Sequence, residues 1–327
     1  MKTLLQNREV LLAVLIVVLA LMVGLVTHDF LLPSNLLAVY NDTSILIILA
    51  LGQMLVILTR CIDLSVAANL ALTGMVVAML NSAYPEVAVP LLVLAGALLG
   101  LILGMINGVL VWKLGIPAIV VTLGTMSIYR GIVFLLSDGA WVNAHEMSGA
   151  FVSIPRTELL GIPVLAWVSV IVIAVMVHFT RQRRLGREIY AAGNNPTAAF
   201  YTGIQVGRLQ FVAFSISGLL AGLCGYLWVS RYAVAYVDVA AGFELQVIAA
   251  CVIGGVSIMG GIGTVQGCVL GALFLGVINN ALPVIGVSPF WQMAISGAVI
   301  VIAVIANAKS ERKTGRIILK KAALQSH

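Results

Sequence analysis

Charge is what this 327-residue chain has least of: Asp, Glu, Lys and Arg together make up 9% of it, where soluble domains carry roughly 25%. So few charges cannot cover the surface of a water-soluble fold of this size, because most of its outside would have to be apolar. Its apolar stretches also lack paired carboxylates, histidine clusters and activated nucleophiles, which leaves an intramembrane enzyme without machinery. No G-x-x-x-x-G-K-[ST] occurs, nor any Gly-Lys pair, so the chain has no loop to cradle ATP phosphates and any nucleotide motor must be another subunit. Cys61, Cys224, Cys251 and Cys268 form no C-x-x-C pair and read as small hydrophobes inside a helix bundle, with no disulfide expected. His28, His145, His178 and His327 show no zinc-type spacing with them, and neither metal nor cofactor is expected.

What is present is apolar sequence: 61% of the residues are A, V, I, L, M, F, W, Y or C. The runs are continuous rather than alternating, which argues against a porin-like barrel. They fall at about 10–27, 43–59, 64–82, 87–112, 116–136, 162–180, 209–229, 244–259, 262–282 and 290–308, each near the 20 or so residues that a helix needs to cross a bilayer. The reading is all-α, a polytopic helical membrane protein with about ten transmembrane helices in a single domain, 1–327. The eighth and ninth spans nearly fuse, so one of them is a candidate broken or re-entrant segment.

Lys and Arg in short loops set orientation. With ten spans, fifteen of the 18 basic residues fall on one face, including Arg181, Arg183, Arg184, Arg187 and Arg208 and the tail 309–327. Arg156 and Arg231 fall on the other face, and Arg130 lies within a span. Both termini are therefore expected in the cytoplasm, and the net charge of +6 reads as a topology signal rather than a nucleic-acid footprint. Trp112, Trp167, Trp228 and Trp291 lie near span ends, where amphipathic rings settle.

The longest cytoplasmic loop, about 181–208, carries its own structure. A short helix is expected to end at a left-handed Gly193, and Asn194 or Asn195 to cap a second helix with Pro196 at its first position and Gly203 past its end. Small residues mixed with Tyr190, Phe200 and Tyr201 make a knob suited to a groove on another protein; a basic loop lying on anionic lipid is the other reading. Asp63 reads as the N-cap of the third span rather than as a proton site, and Arg130 as a side chain reaching the outer interface. Gly263, Gly267 and Gly271, spaced by four, predict close helix packing, with a break at Met259 to Gly263. Among uncharged polar residues within spans, Gln53, Asn69, Asn107, Thr122, Gln246 and Asn279 are candidate pore-lining groups; Thr73, Thr125, Asn280 and Gln292 are further polar positions. Interhelical hydrogen bonding is the alternative for all of them. So little buried charge argues against proton or sodium coupling and for a neutral solute.

The run from Gly186 to Gly203, F-E-L-Q-V-I-A-A-C-V-I-G-G-V-S-I-M-G-G-I-G at 243–263, and G-A-L-F-L-G-V-I-N-N-A-L at 271–282 closely resemble the permease subunits of ribose-type ABC sugar importers. I-D-L-S-V at 62–66 and P-A-I-V-V-T-L-G-T-M-S-I-Y-R-G-I at 117–132 look like segments of the same family, so the resemblance spans nearly the whole chain. T-R-C-I-D-L-S, Y-R-G-I and W-V-N-A-H-E-M-S look most like the rhamnose and autoinducer-2 branch, nearer the rhamnose permeases. The resemblance implies a bacterial inner-membrane permease for a neutral monosaccharide such as rhamnose, paired with a second permease, the same or homologous. It also implies an ABC ATPase subunit and a periplasmic sugar-binding protein as partners. The ATPase would dock on the loop between the sixth and seventh spans, which maps to Arg187, Gly193, Asn194, Ala198, Ala199 and Gly203. Where the family usually writes G-G-I-D-L-S-V-G, this chain has Arg60, Cys61 and Ala67 in place of glycines, and Arg60 is expected to seek an ionic partner.

Overall fold

The computed structural model describes residues 8–288 and, beyond them, Trp291, Ala294, Ile295, Gly297, Ala298 and Val301. Eight helices among them are long and apolar enough to cross a membrane: α1 (Arg8–Val26), α2 (Pro33–Leu58), α3 (Val66–Ala83), α4 (Val89–Leu114), α5 (Ala118–Ser137), α7 (Val164–Gln182), α10 (Val206–Tyr232) and α12 (Val265–Val284). Shorter helices are α6 (Gly149–Ser153), α8 (Arg184–Asn194), α9 (Pro196–Tyr201) and α11 (Phe243–Ile253). The tenth expected span, with Gln292 and the basic tail, falls almost wholly outside the described residues. Strand is confined to β1 (Val142–Asn143) against β4 (Val234–Ala235) and to β2 (Glu158–Leu159) against β3 (Ile162–Pro163) among the described residues.

Two span boundaries differ from expectation, each for a local reason. Helix α2 begins at Pro33, ten residues before the apolar run, because Pro is pre-organised for the first helical position and the polar patch that follows is accommodated: the Thr43 hydroxyl donates to the Val39 carbonyl at 2.7 Å. The eighth span stops early. Helix α11 ends at Ile253, and the chain crosses the rest of the bundle without helix through Gly255, Gly260 and Gly261, all at positive φ. The break thus begins at Gly254 rather than Met259. Gly267 and Gly271 give the close packing expected of them, since a Cβ there would overlap the carbonyl oxygens of Gly254 and Ala250; Gly263 lies before the helix, against Val256.

Helix α2 forms the axis: 89% of its most apolar stretch is buried, against 17% for α1 and 28% for α5. Helices α7, α10, α11 and α12 pack around it, and the outer helices turn their large apolar side chains outward, the arrangement lipid demands. The tightest crossing joins α4 to α10. A Cβ on Gly100 would lie 2.5 Å from Gly222 Cα and one on Gly218 2.7 Å from Gly104 Cα, so the two backbones touch with no side chain between them, as small residues permit in lipid.

A glycine joint and a polar cavity at opposite ends of the bundle

Arginines 181, 183, 184, 187 and 208 gather at one end of the bundle, around α8 and α9. Helix α8 buries Gly186, Ile189, Ala192 and Gly193 and turns Arg187 outward. Asn195 then caps α9, its side chain accepting from the Ala198 N–H at 3.0 Å, and Gly203 at φ +84° follows that helix. Of the six mapped residues, Arg187, Asn194, Ala198 and Gly203 are exposed, while Gly193 and Ala199 face inward. Phe200 and Tyr201, 70% and 82% exposed, stand edge to face on the outer side.

Gly193 is not the left-handed terminator expected of it. It lies within α8 and is needed for proximity: a Cβ would overlap the Leu58 carbonyl oxygen and stand 2.5 Å from the Gly261 nitrogen. At the same point the Gly261 N–H donates to the Leu58 carbonyl at 3.0 Å. Arg60 closes the joint, donating from Nε to the Gly193 carbonyl at 2.7 Å and from Nη2 to the Asn194 carbonyl at 3.0 Å. Its partners are therefore the last carbonyls of α8, where a cation also opposes the helix dipole, and not the ionic group expected. Arg60 itself holds φ +64°, a conformation natural to glycine, at a position where the resembling family writes one. Three distant stretches, the α2–α3 connection, α8 and the glycine loop 254–264, thus meet in one contact.

Deeper in, the candidate pore residues divide. Asp63 does not cap α3; Ser65 occupies the N-cap position and gives Asp63 its N–H at 2.9 Å and its hydroxyl at 2.6 Å. The Ser217 hydroxyl donates to the same carboxylate at 3.4 Å, and Gln53, with its amide turned to suit its neighbours, pairs with the Asp63 backbone at 3.1 and 3.2 Å. Asn107 donates to Ser65 Oγ at 2.8 Å, Asn69 to the Gly100 carbonyl at 3.1 Å and Thr122 to the Ile62 carbonyl at 3.2 Å. Gln53, Asn69, Asn107 and Thr122 are all buried, and three of the four donate to the α2–α3 connection at Ile62, Asp63 and Ser65.

Gln246 and Asn279 belong elsewhere. They meet at 3.4 Å, Asn279 Nδ2 donating to Gln246 Oε1, in the wall of a cavity of about 230 Å³ between α2, α10, α11 and α12, toward the end opposite α8. Asn280, Thr43, Trp228, Tyr232 and Phe243 line it too, and at its edge Arg231 forms an ion pair with Asp42. The sequence reading took Trp228 only as a span-end marker and passed over Tyr232, Phe243 and Asp42; their signal was an aromatic cluster at the end of one helix and the start of the next.

At that same end, loop 138–163 is tied to the α10–α11 connection by the pairing of β1 with β4. Arg130 reaches out of its span, as expected, to the Val237 and Val239 carbonyls at 3.1 and 2.6 Å. Glu146 accepts the Asn143 N–H at 2.7 Å, and this bond holds its carboxyl below the usual range.

A multi-pass bundle with a helical knob jointed to its core at one end and a polar cavity toward the other defines a membrane transport subunit. The chain belongs to the family described as branched-chain amino acid transport system / permease component, whose model matches residues 35–304. It is 37% identical over 296 residues to the autoinducer 2 import system permease protein LsrC of Escherichia coli (strain K12 / DH10B), covering 90% of this chain and 85% of that protein. It is 38% identical over 294 residues to the ribose import permease protein RbsC of Haemophilus influenzae, covering 89% and 90%. The autoinducer 2 permease LsrC of Photorhabdus luminescens is 36% identical over 306 residues, covering 93% and 91%. No solved structure matches the chain. It is an integral, multi-pass protein of the bacterial inner membrane, and the rhamnose branch finds no support in these relatives.

Proposed function

We propose that the chain is the membrane-spanning subunit of an ATP-binding-cassette importer for a small, neutral, polyhydroxylated solute, of the kind that its autoinducer-2 and ribose relatives are named for. It spans the membrane ten times with both ends in the cytoplasm and pairs with a second permease, a copy or a homologue. An ATPase subunit docks on the exposed face of α8 and α9, and a periplasmic binding protein delivers solute at the end formed by loop 138–163. The observation that carries this reading is the joint at Arg60, Gly193 and Gly261. An exposed knob bonded to the α2–α3 connection and packed against the loop before α12 can pass a partner's movement into the bundle.

The test is reconstitution of the chain with its ATPase and binding protein, measuring ATP hydrolysis and uptake across ribose, rhamnose and autoinducer-2. Stimulation by one of these is the expected result. Uptake by the chain alone, abolished by uncouplers, would instead make it an ion-coupled secondary transporter.

A further inference from the structure

We infer that the cavity between α2, α10, α11 and α12 is a solute site within the membrane, and that it selects a neutral, hydroxyl-rich ring of monosaccharide size. This rests on the proposed function and deepens it.

The lining chemistry carries the argument. Gln246 from α11 and Asn279 and Asn280 from α12 bring three amides to the cavity. Each amide offers both donors and an acceptor, the complement of a hydroxyl, which also does both. Opposite chemistry comes from Trp228, Tyr232 and Phe243, whose rings cluster with centroids 5.1 Å apart for Trp228 and Tyr232 and for Trp228 and Phe243. They give the cavity an apolar side on which the C–H face of a sugar ring can lie. The formal charges at the edge, Asp42 and Arg231, neutralise one another, so a charged solute finds no counter-ion that is not already engaged.

Size and strength agree with that class. At ~30 Å³ per liquid water, 230 Å³ holds roughly eight waters, room for one five- or six-membered ring with its hydroxyls. The bonds these amides make within the protein can be exchanged: Asn279 to Gln246 at a long 3.4 Å, and Asn280 to the Gly276 carbonyl at 2.9 Å. A site that trades such bonds for a solute's holds it weakly enough to release it, as conduction requires. Its two amide-bearing walls, α11 and α12, are joined by the glycine loop that touches Gly193 and Arg60, so movement at α8 reaches both.

Two measurements test this. In the reconstituted complex supplied with D-ribose or L-rhamnose and binding protein, Gln246→Leu and Asn279→Leu should each lower uptake about three- to tenfold, the value of one lost hydrogen bond, while the ATPase still co-purifies. Separately, a thiol reagent should label Asn279→Cys in the purified complex more slowly with monosaccharide present, and at an undiminished rate with sucrose. Wild-type uptake in both leucine variants, or labelling indifferent to monosaccharide, overturns the site and leaves the importer standing. If a leucine variant fails to assemble, the labelling result decides alone. Absence of uptake of any sugar by the wild-type complex refutes the proposed function, and this inference with it.

Discussion

Substituting Arg60 by glycine and by alanine separates the two things that residue does. Its guanidinium makes two charge-assisted bonds to the end of α8, at 2.7 and 3.0 Å. Such bonds contribute about 1.5–3 kcal/mol each when protected; because the Nη2 bond is exposed, the pair is worth about 2–3 kcal/mol after solvent screening. Its backbone, at φ +64°, costs a side-chain-bearing residue about 1–2 kcal/mol that glycine is spared. Arg60→Ala loses the bonds and keeps the strain, a net destabilisation of about 2–3 kcal/mol. Arg60→Gly loses the bonds but recovers the strain, leaving a deficit of about 1 kcal/mol. Thermal unfolding followed by tryptophan fluorescence should therefore rank wild type above glycine and glycine above alanine. In the proposed function the joint couples through these bonds, so the ratio of solute-stimulated to basal ATP hydrolysis should fall alike in both. An alanine variant as stable as the glycine one would refute the strain argument, and wild-type coupling in either would refute the role of the joint.

Gly193→Ala should displace α8 from Leu58 and Gly261, at about 1–3 kcal/mol for overpacking, and reduce ATPase co-purification; retention at the wild-type level would show that the joint yields freely. Gly100→Ala places a Cβ 2.5 Å from Gly222 Cα and should lower the melting temperature more than alanine at the open Gly124; equal melting temperatures would count against backbone contact. Glu146 has a folded-state pKa held below its ordinary value of 4.5, so its bond to Asn143 is fully formed above that value and is lost as pH falls through the lower, folded one. Amide exchange at Asn143 should rise across that interval relative to Glu146→Gln. Asp138→Lys should weaken binding-protein stimulation in a salt-dependent way, whereas Glu146→Lys should do so and also open the 143–146 turn, with unchanged stimulation in both removing the loop from docking. Reporters inserted near Asn195 and near His145 should lie on opposite faces, and finding them together would end the ten-span topology.

Much of the fold could be read from the chain because lipid imposes it: a crossing helix must be apolar along its length, and eight of the ten expected runs are crossing-length helices among the described residues. The Asn195 cap and Pro196 were also legible, being local chemistry. What escaped the sequence was contact across distance. Gly193 looks like a helix terminator by local rules, and only the arrival of Leu58 and Gly261 makes it a close-packing residue. Cys251 and Cys268, scattered in sequence, come within 3.8 Å. The glycine crossing of α4 and α10 had a signal, Gly96, Gly100, Gly104 and Gly108 at intervals of four; that rhythm was recognised at 263–271 and passed over there. For the pore candidates, polarity within a span could not distinguish Asn107, bonded to a serine inside the bundle, from Asn279, at a cavity wall.

The truncated α11 has a consequence for how the protein is made. Its 11 residues rise about 16 Å, little more than half of a hydrocarbon core about 30 Å thick, and the peptide groups beyond it cannot lie bare in lipid. Most of their partners are local, Gly254 to Ala250, Val256 to Cys251 and Ser257 to Ile262, while Gly261 bonds across to Leu58 of α2 and Gly254 packs on Gly267 of α12. This half-span thus gains its cross-helix support from α2, made earlier, and from α12, made after it. Helix α1, synthesised first yet packed on α12, with Thr264 bonded to Glu9 at 2.5 Å, has to wait in the bilayer for the last third of the chain. The chain order thus brings α1 and α12 together late, and a nascent chain stalled before Val265 would lack the α12 faces against which α1 and α11 pack.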